Sequence, residues 1–135
     1  MSMLVSFVWS GFACAVEKND ISNALKKAYE QHITAMDKED NAAIMKSFHG
    51  QSPAIMQITQ LMQQMFPVFD LKSELLNFKY IGLDGEYAIA RVEQKSVKVS
   101  GPMFQDNITD TIFIFRQELG VWKLWQAAPL DIKFL

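Results

Sequence analysis

Tyr29 and His32 stand three residues apart, a spacing that on a helix brings two side chains onto one face. A phenol beside an imidazole that titrates near neutral pH could do acid–base work or hold a ligand by hydrogen bonds. The same pair also suits the rim of a core, where amphipathic rings bury their bodies and keep their polar tips wet. His49 ends an apolar segment, a place where an imidazole caps the last carbonyls and favours the helix dipole. The chain has two His and one Cys, so a metal would need carboxylates too. No His-x-x-x-His or similar spacing supplies a site, and neither metal nor cofactor is expected. The glycines are isolated and mark turns rather than a phosphate-cradling loop. A Gly-x-Ser-x-Gly nucleophile elbow is absent, and no residue is assigned a catalytic role by motif.

The elements that must position these residues follow from periodicity. Ile21, Ala24, Leu25, Ala28, Tyr29, His32, Ile33 and Met36 fall on one stripe at helical spacing, which predicts a first helix with Asp20 as N-cap. That run stops at Asp37-Lys38-Glu39-Asp40, and a short second helix is predicted over Asn41–Phe48, broken at His49-Gly50. Ser52-Pro53 starts a third helix by a side-chain cap and a pre-set φ. Its apolar face is Ile55, Met56, Thr59, Met62, Phe66 and Phe69; its opposite face is all amide, with Gln57, Gln60, Gln63 and Gln64. Pro67 bends or ends it. The methionines offer either an adaptable binding surface or ordinary core packing.

From Lys72 the texture becomes β. Leu83-Asp84-Gly85-Glu86 reads as a hairpin turn, Ser100-Gly101-Pro102 as a break and Leu119-Gly120 as a last tight turn, giving four strands in a meander. The predicted fold is α+β: three N-terminal helices packed on a curved four-stranded antiparallel sheet. Ile112 to Phe115 is apolar at every position, and Val121, Trp122, Leu124 and Trp125 repeat the pattern, so both faces of these strands need cover. Helices serve one face only. A second copy of the chain is the simplest cover for the other, with Phe113, Phe115, Trp122 and Trp125 as candidate interface residues of a homodimer.

Composition sets the outer limits. A chain of 135 residues with 50% hydrophobic and 21% charged residues fits one globular domain. A formal net charge of −2 with scattered Lys and Arg makes neither nucleic acid nor an anionic membrane surface an expected partner. Residues 1–16 carry no charged side chain, are too short an apolar run to span a bilayer, and contain Ala13-x-Ala15, the small-residue pattern a signal peptidase requires. They read as a signal peptide over residues 1–15 with a truncated start, the domain being residues 16–135; an apolar arm packed on the domain is the alternative. The first reading implies a periplasmic or secreted protein without cysteine, the second a cytoplasmic one.

The order helix, short helix, helix, meander, closing on Phe113-Ile114-Phe115-Arg116-Gln117-Glu118-Leu119-Gly120-Val121-Trp122-Lys123-Leu124, resembles the nuclear transport factor 2-like (SnoaL-like, cystatin-like) superfamily. Asp84-Gly85-Glu86-Tyr87-Ala88-Ile89-Ala90-Arg91-Val92 resembles its Asp-Gly-x-x-Ala-x-Val hairpin, and His49-Gly50-Gln51-Ser52-Pro53 is similar to an exported bacterial branch. The resemblance implies a pocket between helices and concave sheet. Tyr29, His32, Met62, Phe66, Arg91, Gln94, Asp110 and Gln126 are its candidate lining; for the strand residues a solvated face also fits, because a one-residue slip reverses every side chain. The superfamily holds ketosteroid isomerase-like enzymes beside non-catalytic members, and fold alone does not choose between them. The acidic Asp-Asp-x-x-x-x-Asp-Pro segment of the isomerases has no counterpart after Phe48, so no residue inherits their base. The expected role is a non-catalytic small-ligand-binding or accessory module of a bacterial envelope, taking a small apolar ligand or an envelope protein as partner. The alternatives are a cofactor-free acid–base enzyme using Tyr29 and His32, and a structural subunit docked on a larger protein.

Overall fold

The computed structural model describes the backbone of residues 2–135 and the side chains of residues 17–135. The expected signal segment therefore lies outside the residues whose side chains are described. Three helices, α1 (Ser2–Asp37), α2 (Asn41–Ser47) and α3 (Ile55–Met65), precede four strands, β1 (Asp70–Asp84), β2 (Tyr87–Ser100), β3 (Asn107–Glu118) and β4 (Val121–Phe134). The helix expected from Asp20 instead continues back to Ser2, and Asp20 is an interior residue rather than a cap. No proline interrupts that stretch, and its one glycine costs a helix only about 1 kcal/mol. Among the described residues no helix is long and apolar enough to cross a membrane.

The helix ends are set by local chemistry. Glu39 takes a left-handed φ of 54°; its N–H donates to the Met36 carbonyl and that of Asp40 to the Ala35 carbonyl, the pairing that closes a Schellman end. Asp40 at once caps α2, its Oδ1 accepting the Ala43 N–H at 3.1 Å. The carboxylate of Asp37 accepts the Ser73 N–H at 2.9 Å, tying the end of α1 to β1. After α2, Phe48 forms a parallel bridge with Leu124, and the His49 N–H donates to the Leu124 carbonyl at 2.9 Å. Ser52 then accepts the Ala54 N–H and donates to the Trp125 carbonyl, which fixes where α3 leaves β4.

The strands form one antiparallel sheet in the order β1-β2-β3-β4. Leu119 (φ 51°) and Gly120 (φ 79°) are both left-handed, the geometry a two-residue hairpin loop needs. Gly101 is required for another reason: a Cβ there would sit 2.5 Å from the Val68 carbonyl oxygen. Pairing of Ala88 with Phe115, Ala90 with Phe113 and Val92 with Thr111 defines the helix-facing side. Against it lie Leu25 and Tyr29 of α1, both fully buried, with Leu124 of β4. The small side chains of Ala88 and Ala90 let α1 approach closely. A second cluster of Ala35, Ile44 and Met62 holds the helices to one another, so α3 packs on α1 and α2 rather than on the sheet.

The outer face differs from expectation. Phe113 and Phe115 turn toward the helices, and Trp122 packs against the main core. Trp125 reaches the outer side, where the Arg116 guanidinium lies 4.9 Å from its ring. Ile89, Ile112 and Ile114 remain there half-buried, beside an Arg91–Asp110 ion pair at 2.6 Å. The physical reason is the pairing: Phe115 and Phe113 stand directly opposite the inward Ala88 and Ala90, and Trp122 shares the alternation of Leu124, the inward partner of Phe115.

Phe115→Ala is expected to cost about 3–5 kcal/mol, because its ring has no solvent exposure. Phe134→Ala, at 53% exposure, is expected to cost under about 0.5 kcal/mol. Urea unfolding of both variants checks the assignment of the core; equal losses would contradict it.

Candidate functional site

Because α3 stands on the other helices, a space of about 390 Å³ remains between it and the sheet. Its floor is Phe48, Phe113 and Leu124, and His32 lies on the same floor at the end of the α1 stripe. One wall is α3, where Gln57, Ile58, Leu61 and Gln64 recur at helical spacing. The opposite wall is Gln126 and Ala127 of β4, the two residues that follow the extra residue Trp125. Among the described residues no Asp, Glu, Lys or Arg lines the space. Its polar groups are one imidazole and the side-chain amides of Gln57, Gln60, Gln64 and Gln126.

Of the expected lining, His32 and Gln126 are there and the rest are elsewhere. Tyr29 has no exposure; its hydroxyl donates to the Gln94 amide oxygen. The Gln94 amide nitrogen in turn faces Ser96 Oγ at 3.2 Å and Ser73 Oγ at 3.4 Å. This is a satisfied interior network, and burial pushes the phenol pKa upward. The Tyr29 and His32 rings are 6.4 Å apart, neighbours in packing without a hydrogen bond between them. Arg91 and Asp110 pair with each other on the outer face of the sheet. Met62 sits in the interhelical cluster with Phe66 against it. Sequence reasoning missed Phe48, Phe113, Leu124, Ala127 and, on α3, Gln57, Gln60 and Gln64 as lining. The available signal was the charge-free stretch from Gln51 to Phe69, since a helix face of amides without one charge is poor solvent-facing design.

His32 is 8% exposed, and desolvation lowers its pKa from 6.5 to about 4. Its ring meets Phe48 edge-on at 5.4 Å. Nδ1 lies 2.9 Å from Ser47 Oγ, and that hydroxyl donates to the Ile44 carbonyl at 2.5 Å. Among the described residues Nε2 has no hydrogen-bond partner, and no buried side-chain nitrogen or oxygen there lacks one. Nε2 is therefore the ring atom open to the cavity. At neutral pH the described residues of the site offer a neutral imidazole, neutral amides and aromatic edges, a lining that can hold an uncharged molecule.

Three helices on an antiparallel meander, with a cavity between the third helix and the sheet, are the cystatin-like, nuclear transport factor 2-like fold. Within that class, residues 27–135 match the family described as the anti-sigma-I factor RsgI9 C-terminal domain, and the chain belongs to this family. No curated protein matches the sequence. Among solved structures, a proposed aromatic ring hydroxylase from Novosphingobium aromaticivorans superposes with a TM-score of 0.67 at 16% identity, over 84% of this chain and 92% of that one. An uncharacterised protein with a cystatin-like fold from Caulobacter vibrioides gives 0.63 at 14% identity, over 82% and 89%. A ketosteroid isomerase-like protein from Erwinia carotovora atroseptica gives 0.61 at 13% identity, over 84% and 98%. At these identities the likeness is one of fold.

The depressed pKa of His32 carries a stability consequence. Between about pH 6.5 and pH 4 the unfolded chain protonates this imidazole while the folded one does not, so stability falls as pH drops through that window and levels off below it. The contribution lost is about 3 kcal/mol. Urea midpoints measured from about pH 7 to pH 4 should decline more steeply in the unmodified protein than in His32→Gln. Parallel curves would refute the burial account.

Proposed function

We propose that the domain is a non-catalytic module that binds a small, uncharged, largely apolar molecule in the cavity between α3 and the sheet. The observation that carries this reading is the lining itself. It has an apolar aromatic floor and only neutral polar groups, in a space of about 390 Å³ that suits a small ligand. Acid–base catalysis would need a second proton carrier and a pKa poised near the working pH. The Tyr29 hydroxyl is committed to Gln94, and His32 is a weak base at about 4. The family name, the C-terminal domain of an anti-sigma factor, supports an accessory role in which ligand occupancy is passed to a regulatory or envelope partner.

The neutral fluorescent probe N-phenyl-1-naphthylamine should bind saturably to the unmodified protein. Ala127→Trp, on an exposed stretch of β4, should fill the space and weaken binding about tenfold or more without lowering the melting temperature. Undiminished binding in this variant, or none in the unmodified protein, would defeat the reading.

We also propose a homodimer through the outer sheet face, now centred on Ile89, Ile112 and Ile114. Ile89 and Ile114 are direct cross-strand partners, and all three stay half-buried in the single chain. A standard interface needs about 800 Å² per partner. Light scattering at tens of micromolar should show a dimer for the unmodified chain and a folded monomer for Ile114→Glu; a monomer in both cases would sink the assembly.

A further inference from the structure

A serine hydroxyl has one proton, and that of Ser47 is used. At the end of α2 the Phe48 N–H, four residues on from Ile44, does not return to the Ile44 carbonyl but turns to Met45. Ser47 Oγ donates to this carbonyl at 2.5 Å. Toward His32 Nδ1, at 2.9 Å, the same oxygen can only accept. Nδ1 must therefore carry the ring proton, and Nε2 presents a lone pair to the cavity. The reverse tautomer would set an Nδ1 lone pair against a Ser47 lone pair in a buried place, and leave both without a proton between them.

We infer that Ser47 holds His32 in the Nδ1–H form, so that the cavity selects neutral apolar ligands presenting a hydroxyl or N–H donor, such as phenols and alcohols, over their methyl ethers. This rests on the reading of the cavity as a ligand site and adds its polarity. The four glutamine amides can each turn either end to a ligand and set no such sign. His32 Nε2 cannot reverse while Ser47 is spent on Ile44. Ser47 is thus a positioning residue, reaching the ligand only through the imidazole.

The test uses the full chain with two probes that differ only by O-methylation, 1-naphthol and 1-methoxynaphthalene, at pH 7. Naphthol is expected to bind about tenfold more tightly, the difference one unmade hydrogen bond to a buried acceptor produces. Long-range ¹H–¹⁵N spectra of the ring should show the proton on Nδ1. In Ser47→Ala the proton should move in part to Nε2 and the naphthol preference should shrink below about threefold. His32→Leu, which keeps an apolar floor, should abolish the preference should Ser47→Ala prove too unstable to study. Equal binding of both probes overturns the polarity while leaving the ligand site standing. Binding of neither removes the site and the inference together. A ring proton on Nε2 in the unmodified protein overturns the inference whatever the probes do.

Discussion

Tyr29 is completely buried, and a phenol so placed must find an acceptor or lose about 1–3 kcal/mol. It finds the amide oxygen of Gln94, and that bond fixes α1 against the sheet in both rotation and slide. The apolar contacts below it, Leu25 against Ala88, Ala90 and Val92, are non-directional and would tolerate a shift of the helix along the strands. The hydroxyl would not. With Tyr29 pinned, His32 must emerge one turn further on, where Phe48 and Phe113 are its neighbours. The position of His32, the one ionisable group of the lining among the described residues, is therefore inherited from a hydrogen bond that takes no part in the site.

The cavity has a matching origin in α3. Its apolar positions Ile58, Met62 and Phe66 are satisfied by α1 and α2, which leaves the amide positions turned toward the sheet. Glutamine amides cannot be packed dry against Phe113 and Leu124 without losing their hydrogen bonds to water. Close packing of that helix on the sheet is thus unfavourable, and space stays open between them. One helix supplies the adhesive for the other helices and the wall of a polar-lipped pocket, according to which face is considered.

Much of the frame was legible from residue pattern: the three helices, the meander, the tight turns at Gly85 and Gly120, and the interruption after Phe48. Those features are local, and local chemistry writes them plainly. Strand parity was not legible, because Ile112 to Phe115 is apolar on both alternations and nothing local says which set meets the helices. The unshifted pairing of β2 with β3 puts Arg91 and Asp110 on one face and Ala90, Phe113 and Phe115 on the other, and the helices cover the second. The site was half legible for the same reason. His32 and Gln126 were found by residue type and position, whereas Ser47, which sets the proton on His32, looked like an ordinary end of a short helix. Its role appears only when the carbonyl of Ile44 and the imidazole are seen to share one hydroxyl.

The edge of β4 completes this picture. From Gln126 to Phe134 every residue is exposed, and the strand borders the mouth of the cavity at Gln126 and Ala127. A bare edge of this length invites another strand, which would close that mouth. Four features oppose pairing. Pro129 has no N–H to give to a ladder, and an extra residue between the partners of Asp110 and Thr111 bends the strand. The Asp131 carboxylate occupies the Ile132 N–H at 2.9 Å, and Lys133 places a charge at the end of the strand. On the other half of β4 the edge is occupied within the chain itself, by the bridge from Phe48 to Leu124. The strand is thus paired where it forms the floor of the cavity and guarded where it forms the lip, and that division keeps an aromatic pocket reachable from solvent on a chain that would otherwise offer its edge for aggregation.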